Sequence, residues 1–179
     1  MALLNIIAVP DHRLRLQSRP VEEITPEIKQ LAEDMTETMY VAPGVGLAAI
    51  QVAVPLNMAV VDPSAGEEPD QLITLINPRI VENSGRYSVE EGCLSVPGVY
   101  AEVDRFDKIV VVYQDLEGTW MELEAEGFLA IVIQHEMDHM KGKLFVDYLP
   151  SRDRSKMLRK TREFQREEAL KARAEQRQE

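Results

Sequence analysis

Apolar positions return with two different periods along this chain, and the switches between them mark its elements. From Ile28 the apolar residues Ile28, Leu31, Ala32, Met35 and Met39 recur at helical spacing, while Lys29, Gln30, Glu33, Asp34 and Glu37 fill the other side. Thr25-Pro26-Glu27 supplies a helix start with proline at the first helical position, so an amphipathic helix is predicted through about Tyr40. Residues 3–9 are apolar and β-compatible and end at Pro10-Asp11, predicting a first strand. Residues 57–62 and 71–76 predict two more strands, joined by the acidic loop Pro63–Asp70. Asn77-Pro78 breaks the second of these, which resumes over Arg79–Glu82. A further strand is predicted over 102–114, and after the turn Leu116–Thr119 the segment Trp120–Ala125 alternates apolar with acidic as a half-exposed strand does. Gly127 then opens a helix whose first turns, Phe128–Ile133, are nearly all apolar, which predicts burial on most sides. Leu144–Leu149 is again apolar and Pro150 closes a domain spanning 1–150. Residues 151–179 predict a charged helix to about Ala172 with a frayed end.

Charge changes the picture at that boundary. The net charge is −11, yet from Ser151 onward 10 Lys/Arg face 6 Asp/Glu, which leaves −15 on residues 1–150. Such an acidic body repels nucleic acid, so DNA is not an expected partner and any RNA contact falls to the terminal helix. No apolar run approaches the ~20 residues of a membrane span. The N-terminus lacks the basic region and the small-residue cleavage site of a signal peptide. The single cysteine excludes an internal disulfide and suits a reducing, cytoplasmic setting.

The chemistry concentrates in Gln134-His135-Glu136-Met137-Asp138-His139. This fits H-E-x-x-H: on a helix, His135 and His139 are separated by about 40° around the axis and one turn along it. Both imidazoles can therefore reach one metal ion, and Glu136 stands beside them to handle a proton of activated water. Positions 128, 131, 132, 135 and 139 share a face, so Phe128, Ile131 and Val132 are expected to form an apolar substrate wall next to the metal. Asp138, a charge on a mostly buried helix, requires a partner, for which Arg105 is the candidate.

A catalytic site of this type takes three protein ligands, and the helix supplies two. A third histidine after Gly142 is excluded, because Phe145 occupies its position. Glu163, in the charged segment beyond Pro150, is one completion. The other is Cys93, set in Glu90-Glu91-Gly92-Cys93-Leu94-Ser95 and followed by Pro97-Gly98, which is poor core-strand composition. A thiolate beside a cation is the stable form of cysteine, so Cys93 with two histidines makes a reasonable site. Upstream, Gly44–Gln51 combines turn-forming glycines with the small pair Ala48-Ala49 and one polar residue, Gln51, whose amide needs partners if buried.

Three segments together, G-V-G-L-A-A-I-Q (44–51), E-G-C-L-S (91–95) and Q-H-E-M-D-H (134–139), resemble the three signature motifs of the peptide deformylase family, in the family's order. The resemblance extends from the N-terminal strand to Leu149. It implies an α+β fold, with antiparallel β-sheets packed around a central HExxH-bearing helix, flanked by an N-terminal amphipathic and a C-terminal charged helix. It implies hydrolysis of the formyl group of N-formylmethionine on nascent polypeptides, releasing formate. By the same resemblance Cys93, His135 and His139 are the metal ligands, and Gln51 with the backbone N–H of Leu94 stabilises the oxyanion.

Softness and geometry of a Cys/His/His set fit zinc, whereas the resemblance implies Fe(II), replaceable by nickel, cobalt or zinc. Val45 and Gly46 are expected to pair with an extended peptide as an added strand. The charged terminal helix resembles the ribosome-docking tail of some members. Several bacterial members carry an arginine where this chain has Tyr100, so contacts of that arginine do not transfer.

Overall fold

The computed structural model describes residues 1–178. Ten principal elements follow in order: α1 (Pro26–Val41), β1 (Gly46–Ala48), β2 (Met58–Val61), β3 (Ile73–Ser84), β4 (Tyr87–Cys93), β5 (Val96–Arg105), β6 (Lys108–Gln114), β7 (Trp120–Glu126), α2 (Gly127–Met140) and α3 (Ser151–Gln176). Short 3-10 turns at Ala49–Val52 and Phe145–Tyr148 fall between them. A five-stranded sheet runs β1-β2-β3-β6-β7 and a separate hairpin pairs β4 with β5; every pairing is antiparallel.

The amphipathic patterns fold as their periods require. Thr25 Oγ1 caps α1 by accepting from the Ile28 N–H, and Ala32, Met35 and Met39 are buried with Leu47, Met58, Val60 and Ile76. Helix α2 begins where Gly127 adopts φ 61°, and it buries Ala130, Ile133 and Met137 against Val61, Leu75 and Val111 of the sheet.

Four expectations are corrected. Residues 3–9 join no strand. The Ile7 N–H donates to the Gln51 carbonyl (2.8 Å) and the Val9 N–H to the Ser95 carbonyl (2.9 Å), so the segment laces two loops together. Asn77-Pro78 does not end a strand; β3 continues through it as a bulge, with the register shifting between Ile76 and Arg79. Asn77 takes φ 51° there, and its side chain offsets the strain by bonding Val21 N–H, Val21 C=O and Gln114 Oε1, each at 2.8 Å.

The predicted strand 102–114 is two strands in different sheets, parted at Phe106-Asp107. Gln134 of α2 pins that break by accepting from the Phe106 N–H (3.0 Å) and donating to its carbonyl (2.9 Å). Finally, α3 is longer than predicted and is not a free tail. Thr161, fully buried, donates to the Pro97 carbonyl, Gln165 donates to the Val9 carbonyl (2.9 Å), and Met157 and Leu158 pack against the cluster containing Val96 and Val99.

Candidate metal centre and active site

The hairpin β4–β5 carries one corner of the site at its tip. Its register shifts between Glu91 and Cys93, and Cys93 pairs with Val96 across the turn Leu94-Ser95. This turn presents the thiol to α2, where His135 and His139 stand one helical turn apart. The Cys93 Sγ lies 3.4 Å from His139 Nε2, which lies 3.2 Å from His135 Nε2. One ligand atom from each of the three residues falls within 4.8 Å of the others. Tetrahedral nitrogen and sulfur ligands of one ion lie about 3.3–3.6 Å apart, given metal–ligand bonds of about 2.0–2.3 Å. The donor set therefore fits a divalent cation. Glu163 is exposed on α3, and among the described residues no other cluster of His, Cys, Asp and Glu ligands forms.

Which nitrogen of His135 faces the cluster follows from the group behind it. His135 Nδ1 lies 2.7 Å from Glu91 Oε1, which assigns the Nδ1 proton to that contact and leaves the Nε2 lone pair for the cluster. Glu91 is held in turn by two bonds from Arg105, at 2.7 and 2.8 Å. Arg105 also donates to Asp138 (2.6 Å), as expected for that pair, and Asp138 accepts from the Tyr148 hydroxyl (2.8 Å). Burial would raise the Glu91 carboxyl, but the hydrogen bonds from Arg105 and His135 outweigh it and hold the group below its ordinary range. Burial alone would lower the Arg105 guanidinium, and its two carboxylates raise it instead.

Glu136 occupies a different environment. It is buried, its Oε2 has no protein partner, and burial pushes its carboxyl up to about 7. A Cβ built on Gly46 would lie 2.5 Å from Glu136 Oε1, so the bare backbone of β1 is what gives this carboxylate room. Gln51, 1% exposed, accepts from the Ala48 N–H (2.9 Å) and donates to Ser95 Oγ (3.1 Å), with Nε2 3.7 Å from Cys93 Sγ. The partners required of that stray amide are thus found, and they aim its donor end at the thiol.

The cleft beside this cluster has a volume of about 650 Å³. Val45 and Gly46 line one side, along the edge strand β1 of the five-stranded sheet. Phe128, Ile131 and Val132 line it with His135 and Glu136, and Gln51, Cys93 and Leu94 complete that part. His139 is 1% exposed and lies deeper, while Asp138 and Arg105 stand behind the histidines. Sequence reasoning missed Glu91 as the partner of His135, although it stood two residues before the cysteine. It also missed Phe164 of α3, which reaches the cleft.

The profile of the polypeptide deformylase family matches residues 3–155. The peptide deformylase of Bradyrhizobium sp. (strain ORS 278) is 50% identical over 165 residues, covering 89% of this chain and 94% of that protein. The chain belongs to the polypeptide deformylase family. A second deformylase, from Nitrosococcus oceani, is 48% identical over 166 residues, spanning 93% of this chain and 98% of its own length. The crystal structure of a peptide deformylase from Legionella pneumophila superposes with a TM-score of 0.90 at 44% identity, over 94% of this chain and 98% of that one. The deformylase of Ehrlichia chaffeensis, crystallised in complex with actinonin, gives 0.86 at 38% identity over 93% and 99%. As a deformylase, the chain is a metal-dependent hydrolase that removes the N-formyl group from nascent polypeptides. The mixed fold of antiparallel sheets and three helices is the deformylase fold. Among the described residues no helix is long and apolar enough to cross a membrane.

Proposed function

We propose that Cys93, His135 and His139 hold the family's divalent ion, and that Glu136, Gln51 and Leu94 carry out deformylation of N-formylmethionyl peptides around it. The observation that carries this reading is the convergence of the three ligand atoms within 4.8 Å, beside a buried carboxylate with a free oxygen. When bound, the ion supplies Lewis-acid activation of water and of the formyl oxygen. Glu136 accepts a proton as water attacks the formyl carbon, then delivers it to the departing amine. A buried carboxyl with one oxygen free of protein partners is suited to both transfers. Gln51 Nε2 and the Leu94 N–H donate to the oxyanion that develops on the former carbonyl; the fixed amide of Gln51, bonded at both ends, supports that assignment.

Phe128, Ile131 and Val132 receive the methionine side chain, whose flexible thioether suits an apolar wall. Val45 and Gly46 pair with the peptide backbone, a role supported by the position of β1 at the edge of its sheet. Backbone pairing reads no side chains, which suits an enzyme that meets most nascent chains. Arg105 and Asp138 act through Glu91 to hold His135.

The native ion in this reading is Fe(II), with zinc, nickel or cobalt able to replace it. Residues 1–150 form the catalytic domain, the setting is the cytoplasm, and the basic surface of α3 docks on the ribosome. Replacing the exposed Arg152, Lys156 and Arg159 with glutamine should weaken ribosome co-sedimentation most at low salt. Unchanged sedimentation at low salt would count against docking through this helix. The reading of the site is tested by an anaerobic assay on formyl-Met-Ala-Ser with metal content measured in parallel. It predicts formate release in proportion to one ion per chain; a metal-loaded protein that releases none contradicts it.

A further inference from the structure

The turn that carries Cys93 also holds a serine to which that mechanism gives no part. Ser95 is fully buried, where a polar side chain needs a partner. Its Oγ accepts from Gln51 Nε2 at 3.1 Å. The other end of the same amide is fixed by the Ala48 N–H, which donates to Gln51 Oε1 at 2.9 Å. That second contact decides which way the amide faces, because a backbone N–H must meet the oxygen and not the NH2. A primary amide carries two N–H donors. With one committed to Ser95, the other is left for the cleft, which Gln51 lines beside Cys93.

One segment sets the backbone of both partners. The Ile7 N–H donates to the Gln51 carbonyl and the Val9 N–H to the Ser95 carbonyl, so the 3-10 turn Ala49–Val52 and the turn Leu94-Ser95 are held in register. Backbone bonds do not fix the rotation of a glutamine side chain, whose last torsion is broad and only two-fold. Two anchors on one amide do fix it. Within three residues, then, the hairpin tip offers the Cys93 thiol, the Leu94 N–H of the proposed oxyanion pair, and the anchor of the other donor. Oxyanion donors act by preorganisation: they must already point at the place where charge develops. A buried hydroxyl can serve that end without touching the substrate.

We infer that Ser95 is a positioning residue, whose hydroxyl holds the Gln51 amide so that its free N–H meets the oxyanion as it forms. This rests on the proposed role of Gln51 in deformylation. The contact that Ser95 serves is made in the transition state, so its loss lowers kcat and leaves KM little changed. Because Ser95 acts through Gln51, removing both lowers the rate no further than removing Gln51 alone. A serine that only packed the turn would have an independent effect, and the two losses would multiply.

The test is a double-mutant cycle on metal-loaded wild type, Ser95→Ala, Gln51→Ala and the double variant. Turnover of formyl-Met-Ala-Ser, metal content and thermal unfolding are measured on each preparation. Gln51→Ala is expected to lower kcat roughly 100- to 1,000-fold. Ser95→Ala should lower it about three- to ten-fold, the scale of one hydrogen bond, with KM and metal content near wild type. In the Gln51→Ala background the same substitution should change kcat no further. A second readout needs no turnover: the Gln51 side-chain amide protons, assigned by NMR through their absence in Gln51→Ala, should exchange with solvent faster in Ser95→Ala. If Ser95→Ala loads metal poorly or melts early, that exchange, measured below its unfolding transition, decides. Wild-type kcat and amide exchange in Ser95→Ala, a loss confined to KM, or losses that multiply in the double variant overturn the inference. Wild-type kcat in Gln51→Ala overturns instead the role of Gln51 on which it rests.

Discussion

The Nδ1 of His135 lies 2.7 Å from Oε1 of Glu91, a carboxylate gripped on both oxygens by the buried guanidinium of Arg105. A proposed metal ligand is thereby oriented by a charge that is itself held in place. Removing such a partner typically costs 10- to 100-fold in metal affinity. Glu91→Gln is expected to lose metal on this scale, because an amide cannot balance Arg105. Glu91→Ala should in addition lose about 1–3 kcal/mol of stability, since two hydrogen bonds to the buried guanidinium are lost and Asp138 alone remains to balance it. Metal titration and denaturant unfolding measure the two effects separately; a Glu91→Gln variant with wild-type affinity contradicts the orienting role.

Asp138 touches the same guanidinium from the other side but is more exposed, 14% against 5% for the Glu91 side chain. Asp138→Ala leaves the doubly bonded Glu91–Arg105 pair in place, so its effect on unfolding should be smaller than that of Glu91→Ala. Metal content should fall modestly. No change in either quantity would remove Asp138 from the network.

Gly46 and Glu136 make a steric prediction. A Cβ at position 46 would stand 2.5 Å from Glu136 Oε1, so Gly46→Ala must displace the carboxylate. A misplacement near 1 Å at a reacting group costs on the order of 100-fold in rate. The expected variant binds metal normally and turns over slowly, as read from kcat and metal stoichiometry on one preparation. Wild-type kcat would show that the position of Glu136 is not set by β1.

Away from the site, Asp62 joins the end of β2 to α1 by accepting from the Tyr40 hydroxyl (2.6 Å), the Ser64 hydroxyl (2.7 Å), the Ser64 N–H (2.8 Å) and the Gly66 N–H (3.0 Å). Burial would raise its carboxyl, yet these bonds outweigh burial and hold it below 3.8. Folding therefore gains from Asp62 above pH 3.8, and the gain is lost as pH falls through the lower folded-state value. Asp62→Asn should destabilise by about 1–3 kcal/mol at pH 7, less at pH 3, and flatten the acid limb of the stability profile. Parallel profiles for wild type and variant would contradict this.

The HExxH histidines were legible because helical period alone brings i and i+4 to one face, and Gln51 because a polar residue interrupted an apolar run. The hairpin was harder to see. Strand β4 buries Glu91 against Arg105, so its inward positions read as solvated charge and no apolar alternation marks it. The break at Phe106 depends on Gln134, 28 residues away, and the continuation of β3 past Pro78 depends on bonds from Asn77 to Val21, 56 residues away. Local pattern carries neither. Phe164 was read as part of a solvated helix because its seat, Gly98, lies in another element.

In the proposed mechanism one divalent ion on Cys93, His135 and His139 supports deformylation. Its most direct test is metal content and anaerobic turnover of formyl-Met-Ala-Ser by wild type and Cys93→Ala, prepared identically. Wild type is expected to hold one ion per chain and to release formate, with both lost in the variant while the fold persists. A Cys93→Ala protein that keeps stoichiometric metal and activity would contradict it.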